Sequence, residues 1–322
     1  MLHTAKISRR ERNAAASSAF KLLVAATAGV VLAGCQVAQL QGLPNFSADG
    51  GPGPAMSPAP LPTLNVGDKY YYSNGAREQV VSTEGETVNL ISKSKRKLIN
   101  FRNFAIPQPY VEGATKEYFK ESRVPTNALW PLSVGKKVRF STDGRSVSKD
   151  TGNTTEYLQR WSCETTGTKH VRVLAGEFDT YVVECKRFSR TGRWWQNRTW
   201  YYAPAISTYV LRRDFYKKSG ERFRELTAVR PSLQMEPDNV RQGIIHAWQL
   251  ALETKKSGEL QSWTDKKSGT SVQVEPLNTY KAKNGQFCRT YKQYLTRRGA
   301  TNIYTGVACR TGRLKWRTPA RG

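Results

Sequence analysis

The chain has 322 residues, with 51 Lys and Arg against 25 Asp and Glu, a formal net charge of +26 and 38% hydrophobic residues. Such a charge is a statement about partners and solubility rather than fold. His3, His170 and His246 stand apart, and none of the five cysteines lies in a short Cys-x-x-Cys; these spacings exclude the usual metal-site patterns, so no metal or other cofactor is expected.

Residues 1–34 read as a targeting segment. Lys6, Arg9, Arg10 and Arg12 form a basic stretch and Leu22 to Leu32 an apolar one, broken by Gly29. The apolar run is about half the roughly 20 residues that a bilayer span requires, so it reads as a cleaved leader and not a transmembrane helix. The junction Leu32-Ala33-Gly34-Cys35 resembles the bacterial lipobox. That resemblance implies a diacylglyceryl group on the Cys35 sulfur, cleavage before Cys35, and a lipoprotein held on its membrane by several acyl chains, palmitate among them. In the sorting pattern it resembles, Gln36 in place of Asp leans towards the outer membrane. Loss of the leader leaves a charge of about +22. For an exported lipoprotein, the expected partner is then an anionic envelope polymer or lipid, such as lipopolysaccharide or peptidoglycan, rather than nucleic acid.

Residues 35–62 hold the lipidated Cys35 and then a Pro-, Gly-, Ala- and Ser-rich stretch with Asp49 as its one charged residue. This composition cannot bury a core and reads as a flexible, disordered linker. Residues 63–237 read as an antiparallel, all-β domain. β-rich runs at Lys69 to Tyr72, Thr87 to Ile91, Lys137 to Phe140, Val171 to Leu174, Thr180 to Cys185, Trp194 to Tyr202 and Ser207 to Arg212 alternate with turn signals such as Ser73-Asn74-Gly75 and Asp143-Gly144. Val66-Gly67-Asp68-Lys69 with Tyr72-Ser73 is echoed 68 residues later by Val134-Gly135-Lys136-Lys137 with Phe140-Ser141, the pattern of a duplicated β unit or of chance in a basic β protein. The spacing of Ala175-Gly176-Glu177-Phe178-Asp179-Thr180 and Trp200-Tyr201-Tyr202-Ala203-Pro204 resembles β-rich envelope proteins and implies no chemistry.

Residues 238–322 read as a small α+β domain. Asp238 or Asn239 is the expected N-cap of a short amphipathic helix carrying Ile244, Ile245, Trp248, Leu250, Ala251 and Leu252, followed by strands near Ser262-Trp263, Ser271 to Val274, Phe287 to Leu295 and Asn302 to Cys309. With Cys35 set aside, Cys163, Cys185, Cys288 and Cys309 can pair in three ways; their separations of 22 and 21 residues point to two local bonds, Cys163 with Cys185 and Cys288 with Cys309.

Ala251-Leu252-Glu253, Ser262-Trp263, Ser268-Gly269, Val274-Glu275-Pro276, Tyr280, Gly285-Gln286-Phe287-Cys288-Arg289, Tyr291, Gly306-Val307-Ala308-Cys309-Arg310 and Trp316 together resemble the C-terminal domain of bacterial surface antigen lipoproteins of the rickettsial 17 kDa type. Arg313 to Trp316 departs from that pattern, which has a more acidic, glycine-containing turn there. The resemblance implies an envelope location and a disulfide, and no catalytic residues.

Nucleophile, phosphate-loop, zinc-protease and EF-hand templates find no match. His170 or His246 as a general base, and Asp214, Asp179 and Glu184 as a glycosidase-like carboxylate pair, would each require gathering by the fold. The stretch from Lys186 to Tyr202 reads as a hairpin turning at Thr191-Gly192. In one reading its Arg187, Arg190, Arg193, Trp194, Trp195 and Arg198 meet an anionic glycan or lipid headgroup by ion pairing and cation–π contact. In the other, the tryptophans fill the core and the arginines solvate the outer face. The expectation is a non-enzymatic binding or scaffolding protein, set against an envelope enzyme or inhibitor needing a catalytic cleft and a lipid or lipoprotein carrier needing an open apolar β cavity.

Overall fold

In the computed structural model, the described residues are 50–282 and 284–319. The leader and Cys35 lie outside them. Twelve strands follow in order: β1 (Lys69–Tyr72), β2 (Arg77–Glu84), β3 (Thr87–Ser92), β4 (Lys97–Phe101), β5 (Tyr110–Glu112), β6 (Lys116–Ser122), β7 (Lys137–Ser148), β8 (Thr154–Val173), β9 (Gly176–Ser189), β10 (Trp194–Ala203), β11 (Thr208–Tyr216) and β12 (Gly220–Arg230). Each pairs antiparallel with the next. Tyr70 of β1 also lies opposite Val229 of β12, and that pairing closes the ring into a barrel. A closed barrel leaves no strand edge of its own.

The residue alternation decides which way each strand faces. On β8 Trp161, Cys163 and Thr165 are buried, and on β9 Tyr181, Val183 and Cys185; all point into the barrel because successive side chains take opposite faces. On β9 the outward Glu184 and Lys186 are exposed, as are the outward Lys137 and Arg139 of the neighbouring β7, whereas the outward Val182 is buried. On this part of the wall the outside is therefore polar.

The sequence echo is also an echo in geometry. Gly67 and Gly135 both take φ +88°, a conformation glycine adopts without steric cost. The Gly67 N–H donates to the Val80 carbonyl and the Val80 N–H to that of Asp68; Gly135 and Lys136 make the same two bonds with Thr165. In each case the partner strand bulges directly after that residue, between Val80 and Ser82 and between Thr165 and Gly167. β1 and β7 each begin after such a turn, so the ring consists of two six-strand meanders opened by the same device.

After the barrel come α1 (Asp238–Thr254) and a five-strand antiparallel meander of β13 (Gln261–Asp265), β14 (Thr270–Lys281), β15 (Phe287–Arg297), β16 (Ala300–Gly312) and β17 (Lys315–Arg317). The N-cap is Pro237 rather than Asp238 or Asn239, with no side-chain cap bond, and Asp238 instead pairs with Arg241. Ile244, Trp248, Ala251 and Leu252 are buried against the meander, whereas Ile245, counted among the apolar face from sequence, is exposed.

Two sequence expectations need correction. The helix and meander, expected as a separate domain from residue 238, share one core with the barrel: a single apolar cluster includes Tyr70, Leu226 and Val229 together with Ile244, Trp248, Tyr291 and Trp316. Ala228 of β12 also pairs with Gly306 of β16. The expected linker is ordered over its described part. Ala59 is buried and forms a two-way backbone ladder with Leu132, and the carbonyls of Met56, Ser57 and Pro60 accept from the Tyr181 and Tyr202 hydroxyls. Residues 50–62 cannot make a core of their own, but they complete the barrel's, because buried phenols need acceptors.

Both cysteine pairs of the local pattern are bonded, Cys163 with Cys185 and Cys288 with Cys309. In each pair the two residues lie directly opposite on neighbouring strands.

Candidate anion-binding site

β10 carries Gln196, Arg198, Trp200 and Tyr202 at every second position, and register sets what they face. Gln196 lies opposite Arg187 of β9, Arg198 opposite Asp214 of β11, and Trp200 opposite Arg212; Arg187 in turn lies opposite Trp161 of β8. All of these point inward. Asp214, only 4% exposed at its side chain, is the hub: it takes Arg198 Nε at 2.5 Å and Arg212 Nε at 2.8 Å, and the Gln196 carboxamide donates to it at 2.6 Å. The guanidiniums also lie over indoles. Arg198 is 5.4 Å from the Trp200 ring centre, Arg212 5.2 Å from the same ring, and Arg187 5.7 Å from Trp161.

Lys120 of β6 reaches the same interior. Burial, with Arg198 and Arg187 beside it, pushes its ammonium pKa down to about 8. Burial and then the neighbouring Arg198 likewise lower Arg187 and Arg212. Lys120, Arg187, Arg198 and Arg212 thus share the single carboxylate of Asp214. Among the described residues neither Lys120 nor Arg187 has a carboxylate partner within ion-pair distance. The indole N–H groups of Trp161 and Trp200 are buried without an acceptor, and the Gln159 and Gln196 carboxamide oxygens without a donor. Unpaired buried groups of this kind are costly. The cluster's chemistry fits a ligand that brings anionic acceptor oxygens and a hydroxyl donor together.

The six candidates from the hairpin divide. Arg187 and Arg198 belong to the interior cluster, so the arginines do not all solvate the outer face. Arg190 and Arg193 are exposed at the turn, where the Ser189 N–H donates to the Arg193 carbonyl. Trp194 lies on the outer face, stacked on Phe215 with ring centres 6.0 Å apart, and Trp195 is 52% exposed. Sequence reading missed Lys120, Arg212 and Asp214 as members of the site; the available signal was a charged residue at the inward position of an alternating aromatic strand.

Of the residues considered for catalysis, the fold brings together His170 and Asp179, at the surface where Glu177 and Asp179 line a hollow of about 380 Å³. His170 is held at the surface by Asp179 at 2.8 Å and Glu177 at 3.4 Å, contacts that raise its pKa, chiefly through the Asp179 hydrogen bond. His246 is exposed on α1, and Glu184 points to the opposite side of the barrel wall from Asp214. The inside of the ring is filled by Phe104, Trp130, Trp200, Tyr202 and Tyr209, which pack ring against ring. The hollow between Tyr72, Glu78 and Tyr209 measures about 50 Å³, far below the volume of a lipid chain.

Residues 250–317 match the sequence profile of the 17 kDa outer membrane surface antigen family. The C-terminal region is 17 kDa surface antigen-like. The 17 kDa surface antigen of Rickettsia australis is 40% identical over 62 residues, which cover 19% of this chain and 40% of the relative. Those of Rickettsia conorii and Rickettsia rickettsii are 37% identical over 68 residues, 21% of this chain and 43% of each relative. The chain thus spans about two fifths of the length of these relatives. The match begins in α1 and ends with β17, so the barrel and its interior cluster lie outside it. Among solved structures, the hypothetical lipoprotein YmcC from Escherichia coli (K12) aligns over 53% of this chain and 87% of its own, at 13% identity and a TM-score of 0.37.

Proposed function

We propose that this chain is a membrane-anchored envelope lipoprotein of non-catalytic role whose barrel binds an anionic, hydroxyl-bearing envelope component such as lipopolysaccharide or peptidoglycan. The observation that carries the reading is the excess of cations and unanswered indole donors around Asp214 inside the ring. Support for the envelope comes from the antigen-like C-terminal region and from the order of basic stretch, apolar stretch and lipobox-like junction ending at Cys35; Gln36 favours the outer membrane. The two disulfides suit an oxidising compartment. The non-catalytic role is supported by the separation of His246, Glu184 and Asp214 from the surface pair of His170 and Asp179, where both ring nitrogens of His170 are taken up by carboxylates.

The test is binding of residues 36–322, made without the acyl anchor, to purified lipopolysaccharide and to peptidoglycan at low and high salt. Arg187→Gln and Lys120→Gln leave all three partners of Asp214, Arg198, Arg212 and Gln196, in place. Each is expected to weaken saturable binding about tenfold, with salt weakening the parent chain further. Saturable binding to neither polymer, or unchanged binding by both variants, would falsify the reading.

A further inference from the structure

Four of the hairpin's six candidate residues lie outside the interior cluster, and their surroundings differ from it. On the outer wall, Phe188 of β9 lies opposite Trp194 of β10, Trp194 stacks on Phe215 of β11, and Phe223 of β12 lies diagonal to Phe215, opposite Arg213. These four aromatic residues form a band across four neighbouring strands, and Phe215 and Phe223 are 48% and 61% exposed. A bulge between Trp194 and Gln196 inserts Trp195 at the same end of the barrel, where its ring is 52% exposed and the Arg187 guanidinium lies 5.6 Å from its centre. Bulges re-aim side chains in this way.

The band ends at two neighbouring hairpin tips, tied together by the Lys217 N–H donating to the Trp195 carbonyl at 3.0 Å. Arg190 and Arg193 stand exposed on one tip and Lys217 and Lys218 on the other. None of these four has a carboxylate partner among the described residues, and Glu221, the acid nearest the second tip, is held by Arg213 at 2.7 Å. Exposed Trp and Phe beside unpaired Arg and Lys are complementary to an anionic bilayer surface, where aromatic rings settle at headgroup depth and basic side chains meet lipid phosphates. A wall that met only water would leave the rings of Trp195, Phe215 and Phe223 exposed without a partner surface.

We infer that the β9–β10 and β11–β12 tips, with the aromatic band behind them, form a membrane-contact surface that lays this end of the barrel on anionic lipid. The surface is distinct from the interior cluster, since Trp194, Phe215 and Phe223 point away from Asp214.

The experiment is co-sedimentation of residues 36–322, lacking the acyl anchor, with vesicles of phosphatidylcholine alone and of phosphatidylcholine containing about a quarter phosphatidylglycerol. The expected result is binding to the anionic vesicles only, released by salt. Phe215→Ser with Phe223→Ser should weaken it about tenfold or more, and so should the charge reversal Arg190→Glu with Arg193→Glu. The melting temperature should stay within a few degrees of the parent chain because these side chains are exposed. Lys120→Gln, the interior variant, should bind vesicles as the parent does, which keeps this result separate from the polymer-binding test. Equal binding to neutral vesicles, no binding to anionic ones, unchanged binding by the tip variants, or loss confined to Lys120→Gln would each overturn the inference.

Discussion

Glu225 of β12 accepts the Leu174 N–H at 2.6 Å, and burial pushes its carboxyl up to about 7 against that one opposing bond. Its folded pKa exceeds its unfolded value, so its contribution to stability is complete below the unfolded pKa and is lost as pH rises through about 7. Glu225→Gln keeps an acceptor for Leu174 without the charge. The melting temperature of Glu225→Gln should match the parent at pH 5 and exceed it at pH 8, by the equivalent of about 2 kcal/mol; parallel melting curves across that range would count against it. Asp214 lies between two guanidiniums, those of Arg198 and Arg212. Asp214→Asn should cost about 3 kcal/mol, and millimolar phosphate should restore its melting temperature more than it raises that of the parent. A phosphate response equal in both chains would show that the interior does not take anions.

At the scale of elements, the segment 50–62 and helix α1 each lead to a measurement. Removing residues 50–62 strips the acceptors of Tyr181 and Tyr202 and the ladder at Ala59, so a chain starting at residue 63 should melt several degrees below one starting at residue 36; equal melting would mean that the segment does not support the barrel. Gly243 of α1 lies against the Trp263 ring, where an added Cβ would come within 2.1 Å of a ring carbon. Gly243→Ala should therefore lower the melting temperature, although helix propensity alone predicts a gain of about 1 kcal/mol. Most long strands and α1 were legible because their alternation or helical period is local. The residues 50–62 were misread because a Gly-, Pro- and Ala-rich composition rules out a core of one's own but says nothing about lending carbonyls to another's. The interior site was only half legible: Arg187 and Arg198 were singled out, but Asp214 and Lys120 join them through strand register, which no single stretch of sequence contains.

For the whole molecule, the same limit applies to closure. The sequence alternation announces an antiparallel β chain, while the pairing of residues 69–72 with residues 226–230 is a property of the complete ring. The 68-residue echo was the nearest local sign of it, since each half supplies six strands. The shared core makes a further prediction: reducing the Cys288–Cys309 bond in the meander should lower the stability of the barrel as well, by about 3 kcal/mol, so tryptophan fluorescence and far-UV signals should melt together. Separate transitions would show two independent domains.

Ring closure also imposes an order in time. The first strand has no second neighbour until the twelfth has been made, and Tyr304, far along the chain, still has to bring its hydroxyl to Asp68. Contacts between such distant parts carry their loop-closure entropy before any pairing repays it. A chain halted before residue 226 would leave a row of strands with two open edges, and open edges invite pairing with other chains. The finished ring has none of these liabilities, so the last stretch of synthesis or passage decides when the barrel becomes durable.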